Sequence, residues 1–193
     1  MALPGPVGLF GDLMKRVENL RAIGEVAGIN DDDSESIFRA CIVLSVAALD
    51  TYMHEKASEI FLTSATASTS IMQSVSSFLN LTSARIAAPD APSAVRYHLS
   101  FKTLATPNAI DRCMTAAGSA ADEIWKKIAM DAGTRENRIR TSLELFVDRR
   151  NQIAHEGDWD PSLLDYRHIS VTHALDCRRI VETVVQGVDK HWI

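Results

Sequence analysis

Residues 34–62, SESIFRACIVLSVAALDTYMHEKASEIFL, run without a proline or a glycine. Within them Ile37, Phe38, Cys41, Val43, Leu44, Ala47, Ala48, Thr51 and Tyr52 form a helical stripe broad enough to be nearly all buried, and a helix apolar around so much of its circumference belongs at the centre of a fold. The other elements are placed by how they would pack on it. Immediately upstream, Asp31, Asp32 and Asp33 precede Ser34 and Glu35. Their oxygens and negative charge suit the free amides and positive dipole end of a helix start, so the acidic run reads as a cap rather than as a ligand set.

Working outward, Phe10, Leu13, Met14, Val17, Leu20 and Ile23 recur at helical spacing, which predicts an amphipathic helix over Leu9 to Val26, ended by Gly28 and Asn30. Thr63 to Ser83 reads as a Ser- and Thr-rich loop followed by a helix packed through Ile71, Met72, Val75, Phe78 and Leu79. Pro89 and Pro92 interrupt the chain, and a helix resumes through Val95, Leu99 and Leu104. Thr106 and Pro107 supply an N-cap and a first-turn proline for a short helix that ends at Gly118, and Ser119 to Ala132 repeats that scheme. Arg138 to His155 carries Ile139, Leu143, Leu145, Phe146 and Ile153 and meets Gly157, the residue type that closes helices in a left-handed turn. Asp158 to Tyr166 is a polar link, and a last helix follows from Val171 to Val188. No segment shows sustained alternation with turn chemistry, so the fold class is all-α.

With 193 residues, 46% of them hydrophobic, the chain can bury one substantial core, and one domain is the expectation. Cys41, Cys113 and Cys177 are odd in number, far apart and embedded in apolar helical patterns, so they read as reduced core residues of a cytoplasmic protein. Met1 to Pro6 lacks a basic region followed by an apolar run, and no uninterrupted apolar segment reaches the roughly 18 residues that span a bilayer. Neither export nor a membrane partner is expected. A formal net charge of −5 argues against duplex binding through broad phosphate neutralisation, so any RNA contact is local. Arg135, Arg138, Arg140, Arg149 and Arg150 lie close together, away from the early acidic run, an asymmetry that suits self-association.

Chemistry concentrates in Arg150-Asn151-Gln152-Ile153-Ala154-His155-Glu156-Gly157. An arginine can hold a phosphate bidentately, a histidine can move a proton near neutral pH, and an amide can orient the ring or the substrate. Asn151 and His155 are one helical turn apart and share a face. Arg150 and His155 project about 140° from one another on an unbroken helix and cannot easily grip one phosphate. Either the last turn unwinds at Gly157, or a second copy supplies the complementary group across a two-fold axis. Taken singly, a histidine in this place usually bonds a free carbonyl and an arginine usually forms a surface ion pair. Arg149, Glu156, Asp50 and His54 are candidate supporting residues, although Asp50, His54 and Glu55 also fit a solvated helix face. Glu156, Asp158 and Asp160 lack calcium-loop spacing and have no HExxH or CxxC companion, so no metal is expected. Arg178 and Arg179 read as an outer helix face, and Trp125, Trp159 and Trp192 as core or interface packing.

The long helix bearing Leu49-Asp50-Thr51-Tyr52-Met53-His54-Glu55, followed much later by Arg149-Arg150-Asn151-Gln152-Ile153-Ala154-His155-Glu156, resembles the HEPN superfamily over most of the chain, within it the prokaryotic RNase-like HEPN proteins. Arg150, Asn151 and His155 fit the superfamily's arginine, polar residue and spaced histidine. The resemblance implies one HEPN-like helical bundle over residues 1–193 with additional short helices. It also implies a homodimer with the two motifs facing each other in a cleft, and metal-independent endoribonuclease activity without a cofactor. Arg150 would bind or polarise the scissile phosphate, His155 would act as general base or acid, and Asn151 would orient them, leaving a cyclic phosphate. Such proteins are similar to toxins of toxin–antitoxin and phage-defence systems, which implies RNA as substrate and an antitoxin or defence-system protein as partner. The alternative is a non-catalytic HEPN module that binds a nucleotide or another protein.

Overall fold

A computed structural model of the chain describes residues 5–26 and 29–193. The stretch read as central becomes α2 (Asp31–Ala67), longer at both ends than its apolar stripe. Its N-cap is Asn30, whose side chain accepts from the Asp33 amide at 2.8 Å, so the acidic run forms the first turn instead of preceding it. At the other end the helix continues through residues 63–67, where a loop was expected. The Thr63 hydroxyl donates to the Glu59 carbonyl at 3.0 Å and the Thr66 hydroxyl to the Thr63 carbonyl at 2.7 Å, so these polar side chains turn back onto their own helix.

α1 (Pro6–Gly24) lies along α2 and buries Phe10, Met14 and Val17. It begins before Leu9 because Pro6 occupies the first turn, where its missing N–H costs nothing. Gly28, proposed as its terminator, lies outside the described residues, as do Met1 to Pro4. The next elements are α3 (Thr69–Leu79), a single turn α4 (Ser83–Ile86) and α5 (Ala91–Leu99). Pro92 sits in the first turn of α5 and starts that helix, and Leu104 is buried in the loop beyond it. α6 (Pro107–Ala116) and α7 (Ala121–Asp131) are the two short helices read from the sequence. The Thr106 hydroxyl accepts from the Ala109 amide at 3.2 Å, and Gly118 takes φ +81° between the helices.

α8 (Glu136–Glu156) and α9 (Val171–His191) complete the bundle, and both pack on α2. The link between them differs from the expected irregular segment. β1 (Trp159–Asp160) and β2 (Asp165–Tyr166) pair antiparallel, with Trp159 opposite Tyr166 and Asp160 opposite Asp165. Two-residue strands carry too little sequence to show a period, which is why the hairpin could not be read. With nine helices and this one hairpin among the described residues, the fold is all-α.

The apolar interior is continuous from α1 through α9, and the three cysteines lie inside it. Burial raises the thiol of Cys41 to about 11 and that of Cys177 to about 12. Trp125 and Trp192 are also core residues, with indole N–H groups donating to Asp111 at 2.6 Å and Ser119 at 3.0 Å. α2 has the length and hydropathy of a membrane-crossing helix, but half of its most apolar window is buried against its neighbours. The expected stripe is not wholly interior either, since Leu44 is exposed and Val43 is only partly covered.

Candidate functional site

The last turns of α8 carry Arg149, Arg150, Asn151 and His155, and helical backbone persists through Glu156. Gly157 then takes φ +63°, a left-handed conformation that a residue without Cβ adopts at no steric cost. The helix is therefore intact beneath His155. Of the two ways of bringing Arg150 and His155 together, unwinding of the last turn is absent here. On an unbroken helix the two side chains diverge by about 140°.

The two adjacent arginines have different fates. Arg149 turns inward, with Nη1 2.6 Å from Asp158 Oδ1 and Nη2 donating to Oδ2 at 2.9 Å. Burial pushes its guanidinium below the ordinary arginine value, Asp158 works in the opposite direction, and Arg39 and Arg167 add repulsion. Arg150 is half-buried, and its Nη1 donates to Asn151 Oδ1 at 3.1 Å. Asn151 thus holds the guanidinium rather than the imidazole. His155 is exposed and makes no side-chain hydrogen bond among the described residues. It does not bond a terminal carbonyl of its own helix, the ordinary use of a histidine in that place.

The remaining candidates separate from this group. Asp50 Oδ1 accepts from the Leu104 amide at 2.5 Å, and His54 Nε2 lies 2.7 Å from the Lys102 carbonyl. Both hold the loop after α5 against α2, and Glu55 pairs with Arg96 at 3.0 Å. No hydrogen bond or ion pair joins Asp50 or His54 to the motif among the described residues. Glu156 pairs with Arg167 at 3.1 Å and Asp160 lies 3.6 Å from the same guanidinium, so these acids serve the hairpin as ion-pair partners. Arg178 bridges Glu18 and Glu182, while Arg179 pairs with Asp176, as expected of an outer helix face.

Arg39 was not singled out in the sequence. It sits beside Phe38 in the apolar stripe of α2, where an arginine must find partners to be covered. Its Nε donates to Asp158 Oδ2 at 2.7 Å, and its Nη2 reaches Glu35 at 3.0 Å and the Arg167 carbonyl at 2.8 Å. A charged residue within an apolar helical run was the available signal, but its partner lies 119 positions away.

Beside Gly157 a cleft of about 640 Å³ opens between α2 and the hairpin. Asp32, Glu35 and Asp165 give it an acidic wall, and Tyr166 and His168 contribute the aromatic part. The Arg39 guanidinium lies 5.7 Å from the Tyr166 ring centre, and Trp159 meets that ring edge-on at 5.5 Å. The cleft thus sets an acidic wall opposite an aromatic face against which Arg39 lies.

Residues 12–191 match the family model described as RiboL-PSP-HEPN. No curated protein and no solved structure matches the chain.

Proposed function

Because the chain belongs to the RiboL-PSP-HEPN family, a membership that suggests an RNase-like or nucleotide-binding module, we propose that it is a metal-independent endoribonuclease acting at Arg150, Asn151 and His155. The observation that carries this reading is the division of labour between neighbouring arginines. Arg149 is committed to a buried carboxylate, whereas Arg150 is presented with Asn151 on the helix that also exposes His155. A guanidinium fork binds the non-bridging oxygens of a phosphate, and the imidazole takes the proton from the neighbouring 2′-hydroxyl or delivers one to the departing 5′-oxygen. The 2′-oxygen forms its bond to phosphorus as the 5′-oxygen leaves, and the product carries a 2′,3′-cyclic phosphate. Asn151 keeps Arg150 in its presented rotamer.

The divergence of Arg150 and His155 on an intact helix supports a site shared by two copies, each supplying what the other's helix turns away. In the cytoplasm such an enzyme would act as the toxin of a toxin–antitoxin or phage-defence pair and be held inactive by a partner protein. The aromatic face of the cleft beside Gly157, where Arg39 lies against the Tyr166 ring, favours a second reading, a non-catalytic module that binds a nucleotide or a protein.

The test is cleavage of total RNA and of tRNA in excess EDTA by the wild-type protein, Arg150→Ala and His155→Ala, with helicity and oligomeric mass matched. Wild-type cleavage with a loss on the order of 10²-fold or more in both variants is expected. Full activity in His155→Ala would sink the mechanism. No cleavage by any of the three, with saturable nucleotide binding in calorimetry, would establish the second reading.

A further inference from the structure

Asp158 is the only fully buried carboxylate among the described residues. It follows Gly157 with φ +65°, so two consecutive residues turn left-handed and only the first is a glycine. Strain of this kind persists where the surroundings over-determine the conformation. They do so here. The carboxylate lies between the Arg149 and Arg39 guanidiniums, at 2.6 Å and 2.7 Å. Both arginines also donate to the Arg167 carbonyl, at 3.1 Å and 2.8 Å. The Asp158 amide donates to the Gln152 carbonyl at 3.2 Å, and its own carbonyl accepts from the Arg167 amide at 2.9 Å. One residue therefore joins α2, the last turns of α8 and the exit of the hairpin.

This joint bears on the motif through geometry. Arg149 and Arg150 are successive on α8 and point about 100° apart. Fixing Arg149 against Asp158 and Arg39 fixes the rotation of α8 about its axis, and with it the directions of Arg150, Asn151 and His155. The bond to the Gln152 carbonyl holds the turn from which His155 projects. Charge-assisted bonds to an enclosed carboxylate are short and directional, which suits them to this task better than apolar packing.

We propose that Asp158 is a positioning residue for the Arg150 and His155 pair, gripped by Arg39 and Arg149 so that α8 presents both groups in a fixed direction. The proposal rests on the ribonuclease reading of that pair. Misplacement of a reacting group by about 1 Å costs on the order of 10²-fold in rate, and substrate binding through other contacts is less affected. Removing the grip is therefore expected to lower kcat more than it raises KM.

The experiment uses the full chain and compares wild type, Asp158→Asn and Asp111→Asn. Asp111 pairs with Arg140 and accepts from the Trp125 indole, so its variant loses a partly buried aspartate–arginine pair without touching α8 near the motif. Steady-state cleavage of a short RNA in EDTA is measured with the NMR signals of the His155 ring across pH, after near-UV circular dichroism confirms packing. The expected result for Asp158→Asn is a fall in kcat of about 10- to 100-fold, a smaller change in KM and displaced His155 signals. For Asp111→Asn, kcat and the His155 signals stay at wild-type values. A folded Asp158→Asn with wild-type kcat overturns the proposal. Should that variant fail to fold, Arg39→Lys, which keeps the charge and removes the fork, decides by the same measures. If the wild type cleaves no RNA, the ribonuclease reading fails. The His155 signals then decide the positioning role: displacement in Asp158→Asn sustains it, and unchanged signals overturn it.

Discussion

Gly157 shows how a single residue decides where α8 stops. Its φ of +63° is strained for any residue bearing Cβ, yet a Cβ built there meets nothing within 4 Å. A substitution therefore reports backbone strain with no steric clash added. Alanine in this conformation costs about 1 kcal/mol. Gly157→Ala is accordingly expected to lower unfolding free energy by that amount in urea titrations, with an unchanged slope. A loss below the error of the measurement would mean that α8 ends differently from the geometry described above. Gly187 offers the opposite case: its backbone is ordinary, but a Cβ would lie 2.5 Å from Ile128 Cγ1, where α9 approaches α7. The first glycine was legible in the sequence because it follows a long apolar period. The second was not, because close approach of two helices leaves no local mark.

At the scale of elements, periodicity was a sufficient guide wherever a helix has one wet face and one dry one, as α6, α7 and α9 do. It failed where polar side chains bond to their own helix, as Thr63 and Thr66 do, and where strands are too short to alternate. Pairings between distant elements were invisible for a related reason: each partner looks locally like an ordinary solvated charge. Glu18 and Arg178 are 160 positions apart and join α1 to α9. The hydrogen-bonded Arg21 guanidinium holds the Glu18 carboxyl below its ordinary value, slight burial opposes this, and Arg178 adds to the lowering. A carboxylate with a depressed folded-state pKa stabilises the fold above its unfolded value, and the contribution disappears as pH falls through the folded value. The window therefore lies below about pH 4.5. The pair is open to solvent, so its worth is about 0.5 kcal/mol at neutral pH. Glu18→Gln is expected to cost that amount at pH 7 in urea titrations, with the gap from wild type closing by about pH 3. A gap constant across that range would show that the Glu18 charge, toward Arg21 and Arg178 together, contributes nothing to stability.

For the molecule as a whole, the sequence displayed Arg150, Asn151 and His155 together but hid what presents them. The Arg39 and Asp158 partnership exists only once α2 and the hairpin meet. What an isolated chain does not bring together is Arg150 and His155 themselves, since α8 runs unbroken to Glu156. If two copies face each other across a two-fold axis, each site takes Arg150 from one and His155 from the other. Arg150→Ala and His155→Ala homodimers then have no complete site. In a mixed dimer one site loses both groups and the other regains both. Random exchange gives about half mixed dimers, each with one working site of two, so mixing equal amounts of the two inactive proteins is expected to restore about a quarter of wild-type cleavage. The measurement is RNA cleavage in EDTA after the proteins are co-refolded, with formation of mixed dimers verified by native mass spectrometry of differently tagged chains. Recovery near that level assigns the two groups to opposite copies. Absence of recovery despite verified mixed dimers places both in one chain and requires the end of α8 to unwind in the bound state.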